Sequence, residues 1–161
     1  MLVTSFPWLA SSHSKSIILG SMPGVESIRI QQYYGHPRNQ FWRIFYALHG
    51  AEWSENYEDR KKFLLSKETA LWDVLSHCER EGSLDTDIQN PIMNDFNQLF
   101  TEFPAIQTLF FNGGKAYELF IKYVVPHLTS QSHVYQKLPS SSPAYTLSFE
   151  NKLNMWKIIL L

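Results

Sequence analysis

The sequence predicts an α/β fold: one three-layer domain over residues 1–161, with a four-stranded, mostly parallel sheet flanked by helices. Three observations lead there. Short apolar runs alternate with longer amphipathic or charged stretches, the pattern of strands joined by helical crossovers. Three of the four runs end in loops rich in Gly, Pro or Ser. The chain has 161 residues, 44% hydrophobic and 15% aromatic, enough for one sizeable core and short for two.

The first run, Ser16-Ile17-Ile18-Leu19, ends at Gly20 and reads as a buried strand. A loop holding Pro23, Gly24, Gly35 and Pro37 follows. Phe41, Trp42, Ile44, Phe45 and Leu48 then recur at helical spacing, with Gly50 as the stop. Residues 56–67 are charged and read as a surface helix. Ala70 to Leu75 is the second strand, and a polar loop is expected from about His77 to Pro91. Asn94 or Asp95 caps a helix through Phe96, Leu99, Phe100 and Phe103. Thr108 to Phe111 is the third strand, closed by Asn112-Gly113-Gly114, and a helix through Ala116, Leu119, Phe120 and Tyr123 comes next. Val134-Tyr135 marks a fourth, weaker strand; it leads to Leu138-Pro139-Ser140-Ser141-Ser142-Pro143 and a last helix through Leu147, Leu153 and Trp156.

Composition narrows the classes of function. With a formal charge of −1 the chain has no global basic signature, although phosphate neutralisation supplies most non-specific nucleic-acid affinity. Arg29, Arg38, Arg43, Lys115 and Lys137 lie near turns and leave room for a local basic face. Cys78 is the only cysteine, which excludes an intrachain disulfide and a cysteine-held iron–sulfur cluster. The histidines show no metal spacing, and Gly20 to Ser27 lacks the Gly-Lys-Ser/Thr end of a phosphate loop. No metal or cofactor is expected. Neither a secretory signal nor an 18-residue apolar span is found, so a soluble, cytoplasmic protein without membrane contact is expected.

The chemistry-bearing segments stand in the order GSMPG (20–24), YYGHPRNQFW (33–42), LWDVL (71–75), NGGKAY (112–117) and LPSSSPA (138–144). Taken singly each has a plain reading. Asn39 directly precedes a helix and reads as a cap, Asp73 as an acceptor for strand-end backbone donors, Lys137 as surface charge, and the serines as solvated loop. In a parallel sheet, however, ligands bind beyond the carboxyl ends of the strands, where these loops gather.

In combination the segments resemble the uracil-DNA glycosylase superfamily. The likeness is to its mismatch-specific branch and, more closely, to the hypoxanthine-DNA glycosylases, from about Phe6 to the last helix. The resemblance implies a monofunctional DNA glycosylase acting on double-stranded DNA that carries a deaminated or mispaired base, most closely hypoxanthine. The enzyme would be a monomer, associated with the nucleoid when acting. It assigns Gly20, Ser21, Met22, Pro23 and Gly24 to the wall of a base pocket, Tyr34 to stacking on the extruded base, and Asp73 to reading the base. It assigns Asn39 to catalysis, and Lys137, Ser140, Ser141 and Ser142 to DNA contacts. An amide cannot act as a base at neutral pH, but it can orient water through its carbonyl or stabilise developing charge. His36 is open to an acid, a water-ligand or a turn-forming role.

The chain departs from the superfamily pattern at three positions. Met22 stands where many members carry Asp or Asn to position water, which removes that route. Leu138 stands where relatives carry His or Asn, and Ser142 where a wedge leucine is common. No lysine nucleophile occupies a matched position, so strand-cleaving lyase chemistry is not expected. Two other readings remain: a uracil- or mismatch-type glycosylase on the same fold, and a non-catalytic damaged-DNA-binding module.

Overall fold

The computed structural model describes residues 1–161. Strand β1 (Leu2–Thr4) is followed by β2 (Ser16–Gly20) and helices α1 (Val25–Ile30), α2 (Phe41–Leu48) and α3 (Tyr57–Ser66). Next come β3 (Thr69–Asp73), β4 (Leu75–Glu79), β5 (Gln89–Met93) and α4 (Phe96–Glu102). The chain closes with β6 (Thr108–Asn112), α5 (Gly114–Leu119), β7 (Val134–Leu138) and α6 (Phe149–Trp156).

The main sheet runs β3-β2-β6-β7, and all its pairs are parallel. Its central strands are almost wholly buried, as continuous apolar runs require when helices cover both faces. Side chains alternate across the sheet and build two cores. Ile17, Leu19, Leu109 and Phe111 point to one, with Phe96 and Leu99 of α4 and Ala116 and Leu119 of α5. Ile18, Leu71 and Phe110 point to the other, with Phe41 and Phe45 of α2, Leu64 of α3 and Trp156 of α6. No helix is long and apolar enough to cross a membrane.

Three expected features are corrected. Ala70 to Leu75 is not one strand: β3 ends at Asp73, and the chain turns at Val74, whose N–H donates to Gly20 O at 2.8 Å, while Leu75 N–H donates to Ser21 O at 3.2 Å. The expected polar loop from His77 to Pro91 instead carries the end of β4 and the start of β5, which form a second sheet, β1-β4-β5, paired antiparallel. Exposed residues dominate β5 and register shifts interrupt the β4–β5 ladder, so no regular alternation marks it in the sequence. Pro91 is tolerated because β5 lies at the sheet edge. The segment 25–30, expected as loop, is helical; Ser27 is its only buried residue, so it has no apolar stripe to betray it. Of the two candidate caps for α4, Asp95 accepts from Gln98 N–H at 3.0 Å, while Asn94 Nδ2 donates to the carbonyls of Asp73 and Leu75.

Candidate active site

The carboxyl ends of β2, β3 and β6, with the loop after β7, converge on a cavity of about 490 Å³. Gly20, Asp73, Asn112 and Ser140 to Ser142 come from these ends, Tyr34 and Asn39 from the α1–α2 connection, and Asp85 from the β4–β5 loop.

Gly20, Asp73 and Tyr34 form the deepest part of the cavity. A Cβ at Gly20 would lie 2.6 Å from Asp73 Oδ1 and 2.9 Å from Tyr34 Oη, so the absent side chain is what lets both groups approach the strand end. Asp73 is 3% exposed, and its Oδ2 is buried with no hydrogen-bond partner. The carboxyl therefore does not serve strand-end backbone donors. Burial, helped by the nearby Asp85 charge and opposed by Arg80, pushes its pKa up from 3.8 to about 7. Arg80 is itself buried and donates through Nη2 to the carbonyl of Pro23, tying the 20–24 turn to β4's outgoing loop.

Tyr34 Oη is likewise buried and makes no hydrogen bond of good geometry, with the Asn112 side chain beside it. Burial first, and then the Asp73 charge, hold the Tyr34 phenol far above its ordinary pKa, so it stays protonated. Its ring stacks on Phe41, with centroids 4.3 Å apart and planes at 28°. Its backbone is left-handed at φ 54, a conformation a bulky side chain rarely adopts and one that costs on the order of 1–3 kcal/mol. Packing on Phe41 holds the strained residue in one orientation.

The rim is a closed hydrogen-bond network. Ser141 Oγ donates to Asn39 Oδ1 at 2.9 Å and accepts from Asn112 Nδ2 at 2.9 Å, and Ser141 N–H donates to Asn112 Oδ1 at 2.9 Å. Asn39 Oδ1 also accepts from Phe41 N–H at 3.0 Å. A backbone N–H can only donate, so it fixes the amide: the carbonyl oxygen faces α2, and Nδ2, with no partner in the chain, is left to the cavity. Asn39 is thus both the cap-like residue and a pocket-lining residue. The expectation that its carbonyl orients water fails for this reason, since that oxygen already accepts two bonds.

The five residues of the 20–24 turn all line the cavity, and Met22, 7% exposed, also packs into the core. Ser21 Oγ donates to Asp85 Oδ1 at 2.6 Å. His36 lines the cavity while its Nδ1 accepts from Arg38 N–H at 3.0 Å, which is the turn-forming role. Ser140 and Ser142 remain partly exposed at the mouth. Two expected DNA contacts stand apart. Ser141 is fully buried with its hydroxyl and N–H engaged, so in this structure it holds the rim and meets no phosphate. Lys137 does not line the cavity: strand alternation buries Leu138 and sends Lys137 outward, its Nζ 5.0 Å from the Tyr117 ring.

Sequence reasoning missed Asn112 and Asp85. Asn112 carried a usable signal, a polar residue at the carboxyl end of a buried strand, but it was read as part of a strand-to-helix turn. Asp85 carried none, because only the antiparallel sheet brings its loop over the 20–24 turn.

A family model described as the uracil DNA glycosylase superfamily matches residues 6–160. The chain belongs to this superfamily. Among its relatives, a hypoxanthine DNA glycosylase of Methanosarcina acetivorans is 36% identical over 160 residues, covering 99% of this chain and 98% of the relative. A hypoxanthine DNA glycosylase of Methanosarcina barkeri is 36% identical over 152 residues, covering 94% and 93%. A solution NMR structure of a Methanosarcina acetivorans protein, provisionally named a uracil DNA glycosylase, superposes with a TM-score of 0.84 at 36% identity, covering 99% of this chain and 96% of that one. This superfamily member shares the fold of its solved relative, and its Met22 and Leu138 are both buried and apolar.

Proposed function

We propose that the chain is a monofunctional DNA glycosylase that extrudes hypoxanthine from duplex DNA and hydrolyses its N-glycosidic bond, leaving an abasic site. The observation that carries the reading is the buried, partnerless Asp73 oxygen at the floor of a cavity of about 490 Å³, within the usual range of about 300–1,000 Å³ for small-ligand pockets. Two relatives named hypoxanthine DNA glycosylases, aligned over nearly the whole chain, support it.

The chemistry follows from the residues. Extrusion of the nucleotide costs a few kcal/mol and is cheaper at a mispair. Stacking on the Tyr34 ring returns about 1–3 kcal/mol. Hypoxanthine carries a hydrogen on N1 where adenine carries a lone pair, so the Asp73 carboxylate accepts from the first and repels the second. The Tyr34 hydroxyl, held protonated beside Asp73, closes the pocket at the same end. Asn39 Nδ2 donates to charge developing on the departing purine, a contribution of the oxyanion-hole kind. The turn 20–24 forms the wall, and Ser140 and Ser142 meet phosphates without reading sequence.

The test is a panel of duplexes carrying hypoxanthine, uracil or a normal mispair, incubated with the protein and then with alkali. Strand breaks are expected at hypoxanthine, and only after alkali. No break on any duplex removes the enzymatic reading, and faster release of uracil removes the substrate assignment.

A further inference from the structure

With Met22 apolar, the Asn39 carbonyl engaged and Asp73 committed to the base, no group assigned so far is left to accept a proton from the water that attacks the sugar. We propose that Asp85, reaching over from the β4–β5 loop, is the catalytic carboxylate of this site: it faces the sugar, stabilises its positive charge and accepts the proton of the attacking water. This inference rests on the glycosylase reading.

Three observations support it. Asp85 lines the same cavity as Asn39. Its Oδ1 is anchored by the hydroxyl of Ser21, the chain neighbour of Met22, at 2.6 Å, and its Oδ2 has no hydrogen-bond partner in the chain. Depth separates it from Asp73. Asp73 is buried at the floor, whereas Asp85 is exposed at the mouth. N1 lies at the far end of a purine from N9, so the group that reads N1 cannot also touch C1′. The sugar stays at the level of Asp85. Two carboxylates in one cavity with different surroundings divide the work of recognition and catalysis.

The step balances as follows. The C1′–N9 bond breaks and its electron pair leaves with the purine. Water oxygen bonds to C1′, and one water proton passes to the Asp85 carboxylate and then to solvent. The purine takes a proton from solvent.

The experiment measures single-turnover release of hypoxanthine with enzyme in saturating excess, together with binding to a duplex containing a non-hydrolysable abasic analogue. Asp85→Asn, which keeps an acceptor for Ser21, is expected to slow release by about 10²–10⁴ while binding stays within about twofold of wild type or tightens. Release within about threefold of wild type overturns the proposal, as does a loss that disappears at higher enzyme concentration. Should Asp85→Asn lower the melting temperature, Ser21→Ala is read instead, because it leaves the carboxylate but frees it. Release about tenfold slower supports the proposal, and an unchanged rate overturns it. A wild type that releases no base from any duplex overturns the glycosylase reading as well, whereas an active wild type matched by Asp85→Asn overturns this inference alone.

Discussion

At the rim of the pocket Asn39, Ser141 and Asn112 satisfy one another, whereas at the floor Asp73 Oδ2 has no partner in the chain and Tyr34 Oη has only the Asn112 side chain beside it. A closed network holds its members in one arrangement at little net cost. An unsatisfied buried polar atom costs about 1–3 kcal/mol, more for a charge, and persists only if something outside the chain answers it. On the proposed reading the rim aims Asn39, and the floor is the site open to a base. Both lie at the carboxyl ends of the same parallel strands, so the contrast comes from the side chains and not from the scaffold.

Substitutions sharpen this contrast in graded steps. Among the rim and floor residues the largest effect is expected from Asn39→Ala, which removes the one rim group turned to the cavity. Release of hypoxanthine should fall by about 10²–10³ in single-turnover assays while duplex binding persists. A near-normal rate would reduce the rim to scaffold alone.

Asp73→Asn comes next, and it has two signatures. Discrimination between hypoxanthine and adenine should drop by roughly 10–100-fold, the worth of a lost hydrogen bond to a charged group of about 1.5–3 kcal/mol. Stability should rise instead of falling. The Asp73 pKa is raised from 3.8 to about 7 in the folded chain, so the folded state binds the proton more tightly. The carboxyl favours folding at low pH and loses that contribution as pH rises through about 4 to 7, leaving a buried charge above it. The variant should therefore melt higher than wild type at pH 8, by the equivalent of roughly 1–3 kcal/mol, and this gain should vanish near pH 4. A destabilised variant at pH 8 would show that Asp73 has a partner in the native state. The same titration predicts a pH dependence in wild type. Only the ionised carboxyl repels the adenine N1 lone pair, so hypoxanthine selectivity should weaken as pH falls below about 7, as competition between the two bases would reveal.

Ser141→Ala should act on both stability and rate. It deletes the hydroxyl that joins Asn39 to Asn112 but leaves the backbone bond to Asn112. Chemical denaturation should show a loss of about 1–3 kcal/mol, and release should slow through a looser Asn39, with binding unchanged. Lys137→Ala is expected to do least, altering affinity by less than about twofold, because its ammonium rests near Tyr117, away from the cavity. A large, salt-dependent loss in a binding titration would extend the DNA-contacting surface to β7.

The legible parts of the fold were those with strong local patterns. Ser16–Gly20 and Thr108–Asn112 are continuous apolar runs, and the 41–48 stretch has a clear apolar face, so strand and helix followed from burial alone. Strands β4 and β5 were missed because their side chains are mixed and their pairing is irregular. Within the site, the turn 20–24, Tyr34, Asn39 and Asp73 were recognisable by order and spacing, and the cavity brings them together. The atoms that matter in each were not. Spacing does not reveal that Asn39 turns its nitrogen and not its oxygen to the cavity, or that Ser141 is fully buried while Ser140 and Ser142 are not.

The sequence by itself determined the parallel α/β layering, the superfamily and the apolar residue at Met22, because hydrophobic periodicity and residue identity are local properties. The tertiary structure alone decided which polar atoms have partners. It set the Asp73 carboxyl against Gly20 and left its Oδ2 without a partner, linked Asn39 to Asn112 through Ser141, and carried Asp85 across to Ser21. Those outcomes depend on contacts between residues 29 to 102 positions apart, and a hydrogen bond or a desolvated charge exists only where distant strands and loops meet.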